Sequence, residues 1–161
     1  MHQGEALTLY ETQVAPDWVD YNGHMNDAAF ALVFSRATDA LMDRIGLDAA
    51  TRKGSGRTLF TLQVMLHYFR EANEGGSLCV VCHLLEHDEK RMRIWLDMRA
   101  GRGGPVLAAS EQLLLSVDNS AGARAAPWRA ETLAALDALA KAQRGLAEPQ
   151  LAGRGVRLKR D

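Results

Sequence analysis

Hydrophobic and polar residues change rhythm several times along this chain. Residues 6–14 (Ala-Leu-Thr-Leu-Tyr-Glu-Thr-Gln-Val) alternate loosely, which predicts a first strand. A polar, glycine-broken stretch follows over 16–25. From about Asn26 to Ile45 the apolar residues Phe30, Val33, Phe34, Ala37, Leu41 and Ile45 recur at helical spacing. Gly46 is a helix-ending residue just beyond them. Leu32, Ala40 and Met42 widen the apolar face, and the charges Arg36, Asp39 and Asp43 keep to one narrow stripe. A helix apolar around most of its circumference is expected to be wrapped by other structure, so this one should be central.

Residues 47–57 read as a polar connection, and four strand-like segments follow. In 58–69, Phe60, Leu62, Val64, Leu66 and Tyr68 share one face, and Thr61, Gln63 and His67 share the other. Residues 77–87 are apolar in part on both faces, as in a well-covered strand. In 91–99, Met92, Ile94, Leu96 and Met98 alternate with Arg91, Arg93, Asp97 and Arg99, predicting one wet face that also carries Trp95. Residues 105–117 form the last long strand. The links between these segments are short and rich in turn residues, which implies antiparallel neighbours. A second helix is expected from Trp128 to Arg144, with Leu133, Leu136 and Leu139 along one side. Residues 145–161 read as a basic, loosely held tail. The order predicts an α+β domain spanning 1–161: an antiparallel sheet wrapped around a central helix, plus a C-terminal helix. Its edge strands call for cover or for a second subunit.

A length of 161 residues suits one domain with a sizeable core, and 47% apolar residues exclude a disordered chain. A formal net charge of −1 gives nucleic acid no footprint. No apolar run approaches a membrane span, and the first residues lack a secretory pattern, so the cytoplasm is expected. Cys79 and Cys82 form a C-x-x-C spacing, but inside a strand residues three apart point to opposite faces, so these thiols cannot pair. His83 and His87 share a strand face beside Asp88, yet no third ligand is spaced to join them, so no metal is expected.

The chemistry concentrates in Asp17-Trp18-Val19-Asp20-Tyr21-Asn22-Gly23-His24-Met25-Asn26-Asp27, directly before the long helix. A carboxylate, an amide and an imidazole stand two residues apart at Asp20, Asn22 and His24. A helix start offers unpaired N–H groups and a positive dipole end to developing negative charge. Together these are the parts of a site for attack on a carbonyl. Taken alone, Asp20 and Asn22 also suit turn and cap chemistry, and Asn26 reads as a cap.

Strand, Asp-x-Asn-x-His-x-Asn, buried helix and antiparallel strands together resemble the hotdog-fold thioesterases, over about residues 6–117. Asp20, Asn22 and His24 fall where plant acyl-carrier-protein thioesterases and related acyl-CoA thioesterases carry their triplet, and Asn26 matches a further Asn of that motif. His67-Tyr68-Phe69-Arg70-Glu71 also resembles that superfamily, with Glu71 and Glu74 competing for one acidic position. The stretch 18–27 is further similar to thioesterase domains found with L-carnitine dehydrogenases, which are associated with hydrolysis of betainyl-CoA. The resemblance implies an acyl-CoA substrate, no cofactor, and a homodimer or dimer-based tetramer with sites between subunits. Asp20 is then general base or nucleophile, Asn22 orients the carboxylate or water, and His24 assists proton transfer or holds the loop. Glu71 is a solvated turn residue or a second carboxylate. For a quaternary ammonium acyl group, faces are sought among Trp18, Tyr21 and Tyr68. Arg57, Arg154, Arg157 and Lys159 are candidates for the phosphates of coenzyme A. A hydratase or dehydratase on the same fold, and a non-catalytic acyl-CoA-binding module, are the competing readings.

Overall fold

A computed structural model describes residues 4–158. Strands β1 (Leu7–Gln13), β2 (Arg57–Tyr68), β3 (Ser77–His87), β4 (Arg91–Ala100) and β5 (Val106–Asp118) form one antiparallel sheet in the order β1-β3-β4-β5-β2. A two-residue strand, β6 (Arg124–Ala125), adds to β5. Helix α1 (Asp27–Arg44) lies against the inner face of the sheet, α2 (Ala49–Ser55) leads into β2, and α3 (Ala130–Ala142) closes the order.

The core forms where the apolar stripes meet. Phe30, Val33, Phe34, Ala37 and Leu41 of α1 pack with Val80, Cys82, Ile94, Leu96, Met98 and Leu114 of the sheet, each 4% exposed or less. The central helix is therefore where its periodicity places it, though the sheet covers only one side. Ala31, Leu32, Ser35, Arg36 and Asp39 remain exposed on the other. A buried polar chain crosses the core. The Thr38 hydroxyl donates to Gln112 Oε1 at 3.0 Å, and Gln112 Nε2 donates to Ser110 Oγ at 3.2 Å. Cys79 and Cys82 are free and buried; they oppose Arg99 and Leu96 on the two faces of the sheet, as strand geometry requires.

Several expectations need correction. The 47–57 connection contains α2, whose cap Asp48 accepts from the Thr51 N–H at 2.8 Å. The single apolar face expected of β2 is broken by a bulge at Leu62, where the register shifts between Thr61 and Gln63. Phe60 thus pairs with Leu115 on the outer face, and Val64, Leu66 and Tyr68 pair with Gln112, Ser110 and Ala108 on the inner. The outer face is not simply wet. Trp95 is 4% exposed, donates to Asp97 Oδ1 at 2.8 Å and stacks with His67 at 5.6 Å. In α3, Leu136 is fully buried but Leu133 is exposed. The C-terminal stretch is tied to the outer face: Arg93 pairs with Glu148 at 3.4 Å, and the Gly153 N–H donates to Glu111 at 2.8 Å.

The two sheet edges differ. Beyond Leu7 the β3 edge is finished by the Gln143 amide, which accepts from the Leu84 N–H at 2.8 Å and donates to the Cys82 carbonyl at 2.7 Å. The β2 edge has no strand beside it among the described residues. It exposes Phe60, Leu62, Val64, Tyr68 and Phe69, close to half of each side chain.

Candidate active site

The stretch before α1 is a small hairpin. Val19 bridges Met25, the Asp20 N–H donates to the His24 carbonyl at 2.9 Å, and the Gly23 N–H donates to the Asp20 carbonyl at 3.0 Å. Gly23 takes φ 78°, a conformation that disfavours any side chain, so the turn needs glycine there. The Asp20 carboxylate folds back over the turn. Its Oδ1 accepts from the Asn22 N–H at 2.8 Å and from the His24 N–H at 3.4 Å. No partner is found for Oδ2 among the described residues, so one oxygen holds the loop and the other is presented outward.

Asn26 joins this hairpin to the helix. Its Nδ2 donates to the Trp18 carbonyl at 2.8 Å, and its Oδ1 accepts from the Ala29 N–H at 2.8 Å. The expected cap is thus formed, and it also fixes where the hairpin stands relative to the first turn. Asp27 Oδ1 accepts from the Ala28 N–H at 3.0 Å. The Asp27 N–H, at the positive end of the helix dipole, has no partner among the described residues.

The segment after β2 supplies the other wall. The Met25 N–H donates to the Ala72 carbonyl at 2.8 Å, and His24 bridges Asn73. This brings Glu71 to His24, with Oε2 3.2 Å from Nε2. Of the two acidic candidates it is Glu71 that meets the imidazole, although its side chain is 71% exposed. Tyr68 lies over the first turn of α1. Its ring meets Phe30 edge-on at 5.4 Å, and its hydroxyl donates to the Asp27 carbonyl at 3.4 Å. Burial, and then the Asp27 charge, push the Tyr68 hydroxyl above its ordinary pKa, so the phenol stays neutral.

The other expected site residues separate into those nearby and those apart. Asn22 contributes its backbone N–H rather than its amide to the carboxylate. Trp18 is 9% exposed and the Arg36 guanidinium stands 5.3 Å over its ring, so a cation already covers that face. Tyr21 projects from the hairpin tip, 97% exposed. Arg57 is at the far end of β2 and its guanidinium donates to the Pro127 carbonyl and to Ser116 Oγ. Arg154 and Arg157 follow Gly153, which is held on the outer face of the sheet, away from α1. Lys159 lies outside the described residues. Asp27 was not singled out from sequence; its only signal is an acidic residue in a first helical turn.

The description of the thioesterase-like superfamily matches residues 14–136, which include the hairpin, α1 and every strand of the sheet except β1. The chain belongs to the thioesterase-like superfamily. Its curled sheet around α1 is the hotdog fold, and it is a thioester hydrolase of that superfamily. It is 49% identical to the betainyl-CoA thioesterase of Pseudomonas aeruginosa, over 96% of each chain. It is 36% identical to the L-carnitine dehydrogenase/betainyl-CoA thioesterase of Rhizobium meliloti over 96% of its own length, but spans only 31% of that longer protein. A solved candidate thioesterase from Pseudomonas putida KT2440 superposes with a TM-score of 0.83 at 43% identity, covering 97% of this chain and 99% of that one.

Proposed function

We propose that this protein hydrolyses betainyl-CoA to glycine betaine and CoA. The observation that carries the reading is the match to the P. aeruginosa betainyl-CoA thioesterase, which is 49% identical and nearly coextensive with this chain. The hairpin supports it chemically. With the thioester carbonyl at the first turn of α1, the Asp27 N–H stabilises the oxygen as it becomes an oxyanion. The Asp20 carboxylate, fixed through Oδ1, takes the proton of an attacking water or itself attacks the carbonyl carbon. In the first route the water oxygen bonds to carbon, the C–S bond breaks, and the proton passes to the departing thiolate. In the second, the C–S bond breaks to give an anhydride on Asp20, which water then cleaves. His24, held by Glu71, assists the proton transfers. Thiol release from a panel of acyl-CoAs tests the assignment: betainyl-CoA gives the highest kcat/KM, and a preference for long fatty acyl chains would overturn it.

The working unit in this reading is a homodimer, or a tetramer built from it, joined along β2. An unpaired apolar edge beside the open side of α1 supports this, as does a hairpin that one chain leaves uncovered. A twofold axis makes β2 pair antiparallel with its copy, so a pairing centred on the strand brings the Arg57 end of one subunit toward the Tyr68 end of the other. Arg57 is thereby a CoA-phosphate candidate across the interface, and Arg154 and Arg157 are candidates from the outer face. The whole chain is read as a single hotdog domain. No described helix is long and apolar enough to cross a membrane. Two buried free thiols and a CoA thioester substrate suit the reducing cytoplasm.

A further inference from the structure

The first turn of α1 faces two opposed electrostatic demands. Thioester hydrolysis builds negative charge on the carbonyl oxygen, which suits a helix N-terminus. A betainyl group also carries a fixed positive charge one methylene away from that carbonyl carbon. The positive end of the helix dipole repels this charge, so a site for such a group needs an anion beside the first turn.

Asp17, Asp20, Asp27, Glu71 and Glu74 are the carboxylates on or beside the hairpin, and Asp17 and Glu74 stand outside the first turn of α1. Asp20 is committed to the reaction, and Glu71 is engaged by His24 at 3.2 Å. Arg36 covers one face of the Trp18 ring at 5.3 Å and the residue is only 9% exposed, so the ring is not open to a second cation. Tyr21 is 97% exposed and packs on nothing that would desolvate a ligand. Asp27 differs from all of these. It is exposed, it has no ion pair among the described residues, and its Oδ1 is pinned by the Ala28 N–H at 3.0 Å. Tyr68 stands beside it, half exposed, with the ring backed by Phe30 at 5.4 Å and the hydroxyl on the Asp27 carbonyl at 3.4 Å.

We propose that Asp27 and Tyr68 form the receptor for the cationic end of the acyl group, Asp27 supplying the countercharge and Tyr68 an aromatic face. The inference rests on the betainyl-CoA reading above and adds to it the residues that select the charge. A trimethylammonium group is bulky and weakly hydrated, so it gains from both partners. A neutral acyl group of the same shape leaves the Asp27 charge unbalanced beside the developing oxyanion. Selectivity then comes from the oxyanion step as well as from binding, and appears in kcat/KM.

An acid at the start of a helix also stabilises the helix, so the test must read selectivity rather than rate. The ratio of kcat/KM for betainyl-CoA to that for 3,3-dimethylbutanoyl-CoA, its uncharged isostere, isolates the charge. The wild type is expected to favour betainyl-CoA by about tenfold or more. Asp27→Asn keeps the acceptor for the Ala28 N–H and should bring the ratio down by about tenfold. Asp27→Glu should retain part of the preference, and Tyr68→Leu should lose part of it. Asp27→Ser repeats the test if the Asn variant does not fold, as judged by circular dichroism. A folded Asp27→Asn or Asp27→Ser protein with the wild-type ratio overturns this assignment and leaves the betainyl-CoA reading standing. A wild type that shows no preference for the charged substrate overturns both.

Discussion

Asp20 uses one carboxylate oxygen to hold its own loop, at 2.8 Å from the Asn22 N–H, and the other has no partner among the described residues. Asp20→Asn preserves that acceptor, so the hairpin should survive, but the amide is neither a base nor a competent nucleophile. Turnover of betainyl-CoA should fall by about 10²–10⁴-fold with an unchanged thermal midpoint. A variant that keeps more than about a tenth of the wild-type rate would take Asp20 out of the mechanism. Glu71→Gln should lower kcat less severely, because His24 keeps a hydrogen-bond partner and loses only a charge. A stopped-flow or thiol-release comparison of the two variants in one assay checks the order. At this scale the sequence was legible where contacts are local. Asp20, His24 and the Asn26 cap follow from spacing before one helix. The Glu71 contact was not legible, since it depends on the segment after β2 folding back to residues 24 and 25. Nor did the aromatic count reveal that Trp18 is already covered by Arg36, a contact between residues eighteen apart on separate elements.

At the scale of elements, legibility followed burial. The long helix announced itself because its core stripe is continuous, from Phe30 to Leu41. Helix α2 buries no residue, so it has no periodicity to show, and only the Asp48 cap marks it. The bulge at Leu62 flips the alternation of β2 midway, and no residue in Thr61-Leu62-Gln63 advertises it. Trp95 sits among arginines in sequence but under His67 in space. The β3–β4 turn offers a test of its own. The Lys90 N–H, the Arg91 guanidinium and the Arg91 N–H hold the Asp88 carboxyl down to about 2 from its ordinary 3.8. A pKa lowered on folding means that Asp88 stabilises the fold above its unfolded value, and that this contribution is lost as pH falls through about 2. The turn is tied onward to the region before α3, because Trp128 Nε1 donates to the Asp88 carbonyl at 2.7 Å. Asp88→Asn should therefore melt below the wild type at pH 7, and the gap should close between about pH 4 and pH 2. A gap that stays constant across that range would show that the charge of Asp88 contributes nothing to the turn.

Among the described residues the sheet is finished on one edge and open on the other. At β1 the Gln143 amide completes the β3 edge, and Leu139 and Ala142 of α3 lie alongside. At β2 the outward edge of a twelve-residue strand has no strand beside it among the described residues; Leu62 (48%) and Val64 (50%) are exposed there, and Val64 shares a cleft with Ala31, Ser35 and Asp39 on the uncovered side of α1. A long apolar edge of this kind pairs with another chain or aggregates. The same opening lies beside the hairpin, so pairing and catalysis should be linked. The wild-type protein should run as a dimer or a dimer of dimers by light scattering at micromolar concentration, and its specific activity should fall on dilution once the dimer dissociates. Replacing both Leu62 and Val64 by Lys places like charges directly across the axis and costs their burial. That variant should be monomeric and folded, by light scattering and circular dichroism, and should retain little turnover. A monomer with full activity would separate the β2 edge from catalysis and leave the hairpin of a single chain sufficient for the reaction.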